Sequence, residues 1–263
     1  MPLISAITTC KGRLEHLKQT LPTLMALPDC EVVVVDYDCP QGAGAWVQSA
    51  FPAAKVVRIE DRPHFKAAEA RNRGVTAATA PWLFLVDADV AVAPTFVAAI
   101  APLLRPGIFL RPTPLLHELY GTVVVASGDL AGIGGYDEAF EGWGGEDVDL
   151  ASRLKQSGRQ ADTFPAQLLT TIPHGDELRG RYHSIGNPRA NLVVNSLYRR
   201  IKVDLHTLGV ALDEERRRAV YAQIRQSFLS PQGLTGIEVA FSEQPMAGSR
   251  VLTTSLRYRV RGS

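Results

Sequence analysis

The chain has 263 residues, 46% hydrophobic and 21% charged, with 28 Lys and Arg against 27 Asp and Glu for a formal net charge of +1. That length supports one catalytic-sized unit with a substantial core, and the charge balance gives no argument for nucleic acid as a partner. The 3 cysteines, Cys10, Cys30 and Cys39, have neither metal-site spacing nor the even count of a disulfide framework, so a reducing, cytoplasmic setting is expected. The opening "MPLISAITTCKGR" places apolar residues before basic ones, and no long apolar run follows. Neither a signal peptide nor a transmembrane segment is predicted, and any membrane contact is expected to be peripheral, at the inner face.

Along the first hundred residues, short β-branched runs alternate with helix-length stretches. "LISAIT" reads as a strand, and Leu14, Leu17, Leu21 and Leu24 mark a helix by their spacing. "EVVVVD", "AWVQSAF" and "KVVRI" continue a βαβ rhythm, and the Ala-rich "FKAAEARNRGVTAATA" is helical. "PWLFLVDADV" is a nearly continuous apolar run ending in two aspartates, as a buried parallel strand would. Ligands of open parallel sheets sit beyond the carboxyl ends of the strands, and Thr8, Thr9, Asp36, Asp38, Asp87 and Asp89 all fall there.

Farther on, "YGTVVVAS" reads as a strand and "GDLAGIGGYDEAF" as a short helix closed by glycines. "EDVDLASRLKQSG" reads as a helix that starts at carboxylates, favourably placed near the positive end of its dipole. A charged helix is expected from Asp213 to Leu229. "RVLTTSLRYRVRG" then forms a strand with Leu252, Thr254, Leu256, Tyr258 and Val260 on one face and Arg257, Arg259 and Arg261 on the other. These arginines suit an acidic acceptor, a membrane surface or plain solvent.

"VDADV" delivers Asp87 and Asp89 two residues apart at a strand end. Hard oxygens there suit magnesium or manganese on a diphosphate, and an ordinary strand-end turn fits as well. Asp36 ends another apolar strand, where it can accept from a base or ribose or cap the following helix. Arg71, on the Ala-rich helix, can pair with a phosphate or an aspartate of the site, or face solvent. In "EGWGGEDVDL", Trp143 stands before a glycine hinge and then Glu146, Asp147 and Asp149; a glycine turn followed by an acidic helix cap has the same pattern.

In their order, a strand ending in Thr-Thr, a strand ending in Asp, an Arg-Asn helix and an apolar strand ending in Asp-x-Asp resemble the nucleotide-sugar half of bacterial family-2-type, GT-A-fold glycosyltransferases. "GGYDEAFEGWGGEDVDLASRL" is similar to the C-terminal motif of the β-1,4-galactosyltransferases and of chondroitin-polymerase-like enzymes. The resemblance covers roughly residues 3 to 175. It implies an α/β GT-A fold with a Rossmann-like mixed, mainly parallel sheet flanked by helices. The expected layout is a domain over 1–204, split into a nucleotide-sugar-binding half (1–100) and an acceptor-binding half (101–204), with a helix and strand extension over 205–263. Ala88 inside Asp-x-Asp, "EARNRG", and a chain read without stem or membrane anchor depart from the animal galactosyltransferases.

Carried over residue by residue, the resemblance implies that Asp89 and His174, in "TTIPHGDE", hold the metal, Mn2+ or Mg2+, with Asp87 nearer the ribose. Thr8, Asp36 and Arg71 would line the uridine pocket, and Tyr120 and Gly121 would approach the donor sugar. Trp143 would be the acceptor platform, Glu146 would hold sugar hydroxyls and Asp147 would be the general base. A metal on the departing diphosphate lowers the barrier to glycosyl transfer, and a carboxylate must take the proton of the acceptor hydroxyl. The glycines would let the loop move Trp143 once donor has bound. The expected activity is metal-dependent, inverting transfer of a hexose or N-acetylhexosamine from a UDP-sugar to a sugar or glycan, as in bacterial polysaccharide synthesis. Retention, a nucleotidyltransferase and a non-catalytic sugar-binding protein are the alternatives.

Overall fold

A computed structural model describes residues 1–173, 175, 177, 180–185, 187–230, 236–246 and 250–259. The chain divides into two compact units, Met1–Pro188 and Arg189–Ser263. The boundary expected at 204 falls inside a helix, Pro188–Thr207.

The first unit is built on a seven-stranded sheet of order β3-β2-β1-β4-β7-β6-β8. Its strands are β1 (Ile4–Cys10), β2 (Cys30–Tyr37), β3 (Lys55–Ile59), β4 (Trp82–Leu85), β6 (Ile108–Thr113), β7 (Val123–Ala126) and β8 (Gln160–Pro165). The pairs β1–β2, β1–β4, β2–β3 and β6–β8 are parallel, while β7 runs antiparallel to both β4 and β6. This is the mixed, mainly parallel sheet that the resemblance implies. Val32 to Val35 of β2 are buried because both faces of the sheet are covered.

Helices α1 (Leu14–Met25), α2 (Ala43–Ala50) and α4 (Phe96–Ile100) pack their apolar residues with Ile4, Ala6, Val32 and Val34 on one face. Residues of α3 (Ala67–Ala77), α5 (Ser127–Gly132) and α6 (Glu146–Gln156) join Ile7, Val33, Leu83 and Leu85 on the other. Alternation along a strand makes the assignment: even-numbered residues of β1 and β2 face α1 and α2, odd-numbered ones face α3.

The run "PWLFLVDADV" is not one strand. β4 stops at Leu85, and Asp87 lies in a turn closed by Val90 N donating to the Asp87 carbonyl at 3.1 Å. The chain continues as β5 (Val90–Val92), paired antiparallel with β9 (Leu169–Thr171). The apolar pattern continues across the break because Val90 and Val92 are also buried.

In the second unit, α7 (Pro188–Thr207) and α8 (Glu214–Leu229) precede an antiparallel hairpin of β10 (Gly236–Met246) and β11 (Arg250–Arg259). Asp213 caps α8 by accepting from Arg216 N at 2.8 Å, and the rings of Tyr198 and Tyr221 meet edge to face. Arg257 pairs with Glu238 of β10 at 2.7 Å. Val260 and Arg261 lie outside the described residues. Among the described residues no helix is long and apolar enough to cross a membrane.

Candidate active site

Four pieces of chain converge at the carboxyl edge of the sheet. The Asp87–Asp89 turn follows β4, and the start of α3 arrives there because that helix returns from the edge to begin β4. Since β7 is antiparallel, its entry segment Tyr120–Gly121 lies at the same edge. The first turn of α6, which leads down to the parallel strand β8, brings Glu146 and Asp147 there.

Arg71 of α3 is the hub of this edge. Its Nη1 donates to Glu146 Oε1 at 3.0 Å and to Asp147 Oδ1 at 2.8 Å, and its Nη2 donates to Asp87 Oδ1 at 2.8 Å. The guanidinium is buried and also lies over the Tyr136 ring, 5.3 Å from its centroid. Burial alone would lower its pKa, but Asp147, Tyr136, Asp87 and Glu146 hold it well above the usual range. Three carboxylates share one cation, so they also repel one another. Burial pushes the Asp147 carboxyl well up, Arg71 opposes this, and Glu146 and Asp87 add to it. Asp87 is raised as well, by burial first, with Arg71 opposing and Asp89 adding. Tyr136 OH donates to Asp147 Oδ1 at 3.4 Å; among the described residues no hydrogen bond engages Asp147 Oδ2 or Glu146 Oε2.

The loop before α6 is fixed from α3. Asn72 Nδ2 donates to the Tyr136 carbonyl at 3.0 Å and to Glu138 Oε1 at 2.8 Å, while its Oδ1 accepts from Tyr136 N at 2.8 Å. A Cβ on Gly135 would lie 2.7 Å from Asn72 Oδ1, and this glycine has φ +71°, so both space and backbone require it. At α6 itself, Glu146, Asp147 and Asp149 occupy the first turn and Arg153 and Lys155 the last, matching the helix dipole. Asp149 pairs internally with Arg153 at 2.8 Å.

Some of the expected site residues meet at this edge, and others lie apart. Arg71, Asp87, Glu146 and Asp147 are brought together, and a Cβ on Gly121 would come within 2.4 Å of Asp87 Oδ2 and 2.6 Å of Arg71 Nη2. The hydrogen bonds of Arg71 among the described residues go to the carboxylates of Asp87, Glu146 and Asp147. Thr8 is fully buried, and among the described residues its Oγ1 has no hydrogen-bond partner. As an even-numbered residue of β1, it faces the α1 and α2 side. Asp36 shares that face and accepts from Cys39 N at 2.9 Å and Gly44 N at 2.7 Å, which is the helix-capping alternative. Asp89 lies on the far side of the turn, 3.4 Å from Arg13 Nη1. Trp143 is partly exposed and tilts against His117, which in turn meets Tyr120. His174 lies outside the described residues.

Asn72, Tyr136, Arg13 and Arg111 go beyond what local pattern reading finds. The Arg-Asn pair and "GGYDE" were the signals for the first two, but their partners are more than sixty residues away along the chain.

The carboxylates of Asp87 and Asp89 are hard oxygen donors of the kind a divalent ion takes when diphosphate oxygens and water complete its shell. Among the described residues no three His, Cys, Asp or Glu side chains gather as a protein-only metal site.

The sequence matches the family model described as Glycosyl transferase family 2 over residues 5–106. It matches the model described as N-terminal domain of galactosyltransferase over residues 116–175. A validoxylamine A glucosyltransferase of Streptomyces hygroscopicus subsp. jinggangensis (strain 5008) is 26% identical over 221 residues, covering 60% of this chain and 52% of the relative. The chain thus spans about half the length of the curated relatives it matches. The fold is similar to that of the mannosyltransferase PcManGT from Pyrobaculum calidifontis, in complex with GDP-Man and Mn2+. The TM-score is 0.58 at 17% identity, over 89% of this chain and 72% of that one. Residues 1–349 of S. aureus TarS align with TM-score 0.56 at 14% identity, over 87% and 73% of the two chains. The architecture is that of the GT-A fold, and the two family models together support a glycosyltransferase.

Proposed function

We propose that the chain is a metal-dependent, inverting glycosyltransferase that moves a hexose or N-acetylhexosamine from a UDP-sugar to a hydroxyl of a sugar or glycan. The observation that carries this reading is the single guanidinium of Arg71, which ties Asp87 of the donor half to Glu146 and Asp147 of the acceptor half. Charge on the leaving diphosphate and proton removal from the acceptor are thereby handled side by side. The PcManGT complex with GDP-Man and Mn2+ supports a nucleotide-sugar donor and a divalent ion.

Asp147 Oδ2 takes the proton of the acceptor hydroxyl as its oxygen bonds to the anomeric carbon, and the bond from that carbon to the diphosphate breaks on the opposite side. The configuration inverts. Its raised pKa makes Asp147 a stronger base than an exposed aspartate, a role worth about 10²–10⁴-fold in rate. Glu146 Oε2 accepts from acceptor hydroxyls, and Trp143 with His117 offers an aromatic face to the acceptor ring. Asp89 and His174 would hold the metal, with Asp87 nearer the ribose, and the metal would supply charge neutralisation on the diphosphate. Asp36 braces the backbone beside the nucleotide by accepting from Cys39 N and Gly44 N, Thr8 lies beneath the same face of the sheet, and Tyr120 and Gly121 flank the donor sugar.

The test is UDP release from a panel of UDP-sugars with Mn2+, comparing the parent with Asp89→Ala and Asp147→Asn. The reading expects slow, metal-dependent hydrolysis of one donor, lost in Asp89→Ala. With acceptor present, Asp147→Asn should lower kcat about 10²–10⁴-fold while donor affinity is kept. No turnover and no metal-dependent UDP binding by the parent would refute it.

A further inference from the structure

Two cysteines that the reaction does not use face each other at the carboxyl edge of the sheet. Cys10 ends β1 and Cys39 lies in the loop between β2 and α2, with their sulfurs 4.0 Å apart. Cys10 is completely enclosed, whereas Cys39, between the exposed Asp38 and Pro40, keeps 9% of its surface open to solvent. Cys39 Sγ accepts from Gly12 N at 3.3 Å, which leaves Cys10 as the thiol that donates to it. That bond, with the backbone amides of Gly12, Gln41 and Ala43, outweighs burial and lowers the Cys39 pKa to about 6. The same bond, together with burial, pushes Cys10 well up. A thiolate beside a protonated thiol is the arrangement of an attacking and a resolving cysteine. Cys30, at the opposite end of β2, is held at about 11 by burial.

The pair joins the two loops that follow β1 and β2. Lys11 Nζ donates to the Asp38 carbonyl at 2.8 Å, and Leu14 N donates to Gln41 Oε1 at 3.0 Å. Cys39 N donates to Asp36 Oδ1 at 2.9 Å. A disulfide requires its sulfurs about 2 Å apart, so bond formation must draw these two together by about 2 Å. It also removes the thiolate that Gly12 N meets. Both changes fall on the backbone that Asp36 braces.

We propose that Cys10 and Cys39 form a reversible oxidation site, which hydrogen peroxide converts to a disulfide that weakens nucleotide binding by the adjoining loops. The Cys39 thiolate attacks one peroxide oxygen, the O–O bond breaks, and the hydroxide released takes up a proton to become water. The sulfur of Cys10 then attacks the sulfenic acid. The S–S bond forms as the S–O bond breaks, and the departing hydroxide takes the Cys10 proton. Two thiols thereby lose two electrons and two protons, and one peroxide becomes two waters. A dithiol reductant reverses the change, as a reducing compartment does. The effect on nucleotide rests on the glycosyltransferase reading; the thiol chemistry does not. The competing role is packing alone, with both thiols inert.

The experiment treats the full chain with hydrogen peroxide, as the parent and as Cys10→Ser, Cys39→Ser and Cys30→Ser. Free thiols, a mass-spectrometric peptide map, Tm and UDP binding with Mn2+ are read before and after. In the parent, two of the 3 thiols should disappear and a linked Cys10–Cys39 peptide pair should appear. UDP affinity should fall about tenfold, the equivalent of one or two lost hydrogen bonds, and dithiothreitol should restore it. Cys30→Ser should behave as the parent. Cys39→Ser should form no disulfide and keep its UDP affinity, while Cys10→Ser should stop at a sulfenic acid on Cys39 that dimedone traps. If a serine variant fails to fold, the parent's peptide map and its recovery with dithiothreitol carry the test. Three free thiols after treatment, or a bond that includes Cys30, overturn the inference. A Cys10–Cys39 disulfide that leaves UDP affinity unchanged overturns its control of the site. A parent that binds no UDP before oxidation overturns the glycosyltransferase reading and the nucleotide effect with it, while the peptide map still decides the thiol chemistry.

Discussion

Replacing Arg71 with Met isolates the electrostatics of the site, because Met keeps much of the side chain's bulk and removes its charge. The Arg71 side chain is 7% exposed, and those of Glu146 and Asp147 are 8% and 14% exposed. Two carboxylates would therefore lose their cation in a nearly dry setting; Asp87, at 34% exposed, is partly relieved by solvent. Removing one partner of a buried ion pair costs about 3–5 kcal/mol. With a urea m-value of about 2 kcal/mol/M, the unfolding midpoint at pH 8 should fall by about 1.5–2.5 M.

The loss should depend on pH. Asp147 already lies well above its usual value and Arg71 opposes that shift, so without Arg71 the shift grows and the folded state holds its extra proton to higher pH. Stability is then kept below about pH 4 and lost as pH rises through the folded-state values. Urea unfolding followed by circular dichroism at pH 4.5 and pH 8 measures this, with the gap between parent and variant at pH 4.5 expected below about 0.5 M. An equal gap at both pH values, or a gap below about 0.5 M at pH 8, would refute the charge argument.

Gly121→Ala places a methyl within 2.4 Å of Asp87 Oδ2 and 2.6 Å of Arg71 Nη2; UDP-sugar turnover should fall at least about 10²-fold, and wild-type kcat would show that Tyr120–Gly121 does not set this geometry. Asn72→Ala removes the three hydrogen bonds that hold Tyr136 and Glu138, at about 1 kcal/mol each, so the denaturation midpoint and kcat should drop together; unchanged kcat would uncouple that loop from Asp147. Glu31 is buried enough to raise its pKa, but Lys55, Ser5 and Thr79 outweigh that and hold it at about 2. Its stabilisation is therefore present above about pH 4.3 and lost as pH falls toward 2. Glu31→Gln should cost about 1–2 kcal/mol at pH 7, allowing for solvent around the half-exposed Lys55, and almost nothing at pH 2; a pH-independent loss measured by thermal unfolding would contradict this.

Most secondary structure of the first unit was legible because it rests on local periodicity. The leucines of α1, the valines of β2 and the acidic start of α6 each carry their own signal, and Leu14, Leu17, Leu21 and Leu24 are all buried as their spacing requires. Less was legible where the pattern is ambiguous or the chain lacks an alternating face. "PWLFLVDADV" hid the break between β4 and β5 because residues on both sides of it are apolar and buried. β6, β8, β10 and α7 were not anticipated, since they take their places from pairing and packing with distant segments.

The sequence by itself determined which chemical groups are available and that strand ends deliver them to one edge of a parallel sheet. Only the tertiary structure decided how they are used. The two-residue repeat of β1 and β2 sent Thr8 and Asp36 to the α1 and α2 face, away from Arg71, and gave the oxygens of Asp36 to backbone amides. The antiparallel run of β7 set Gly121 against Asp87, and the return of α3 and α6 from the same edge joined Arg71 to carboxylates as far away as Asp147. Local propensity acts over a few residues, whereas these meetings depend on strand order and direction, which are selected by burial of the whole sheet.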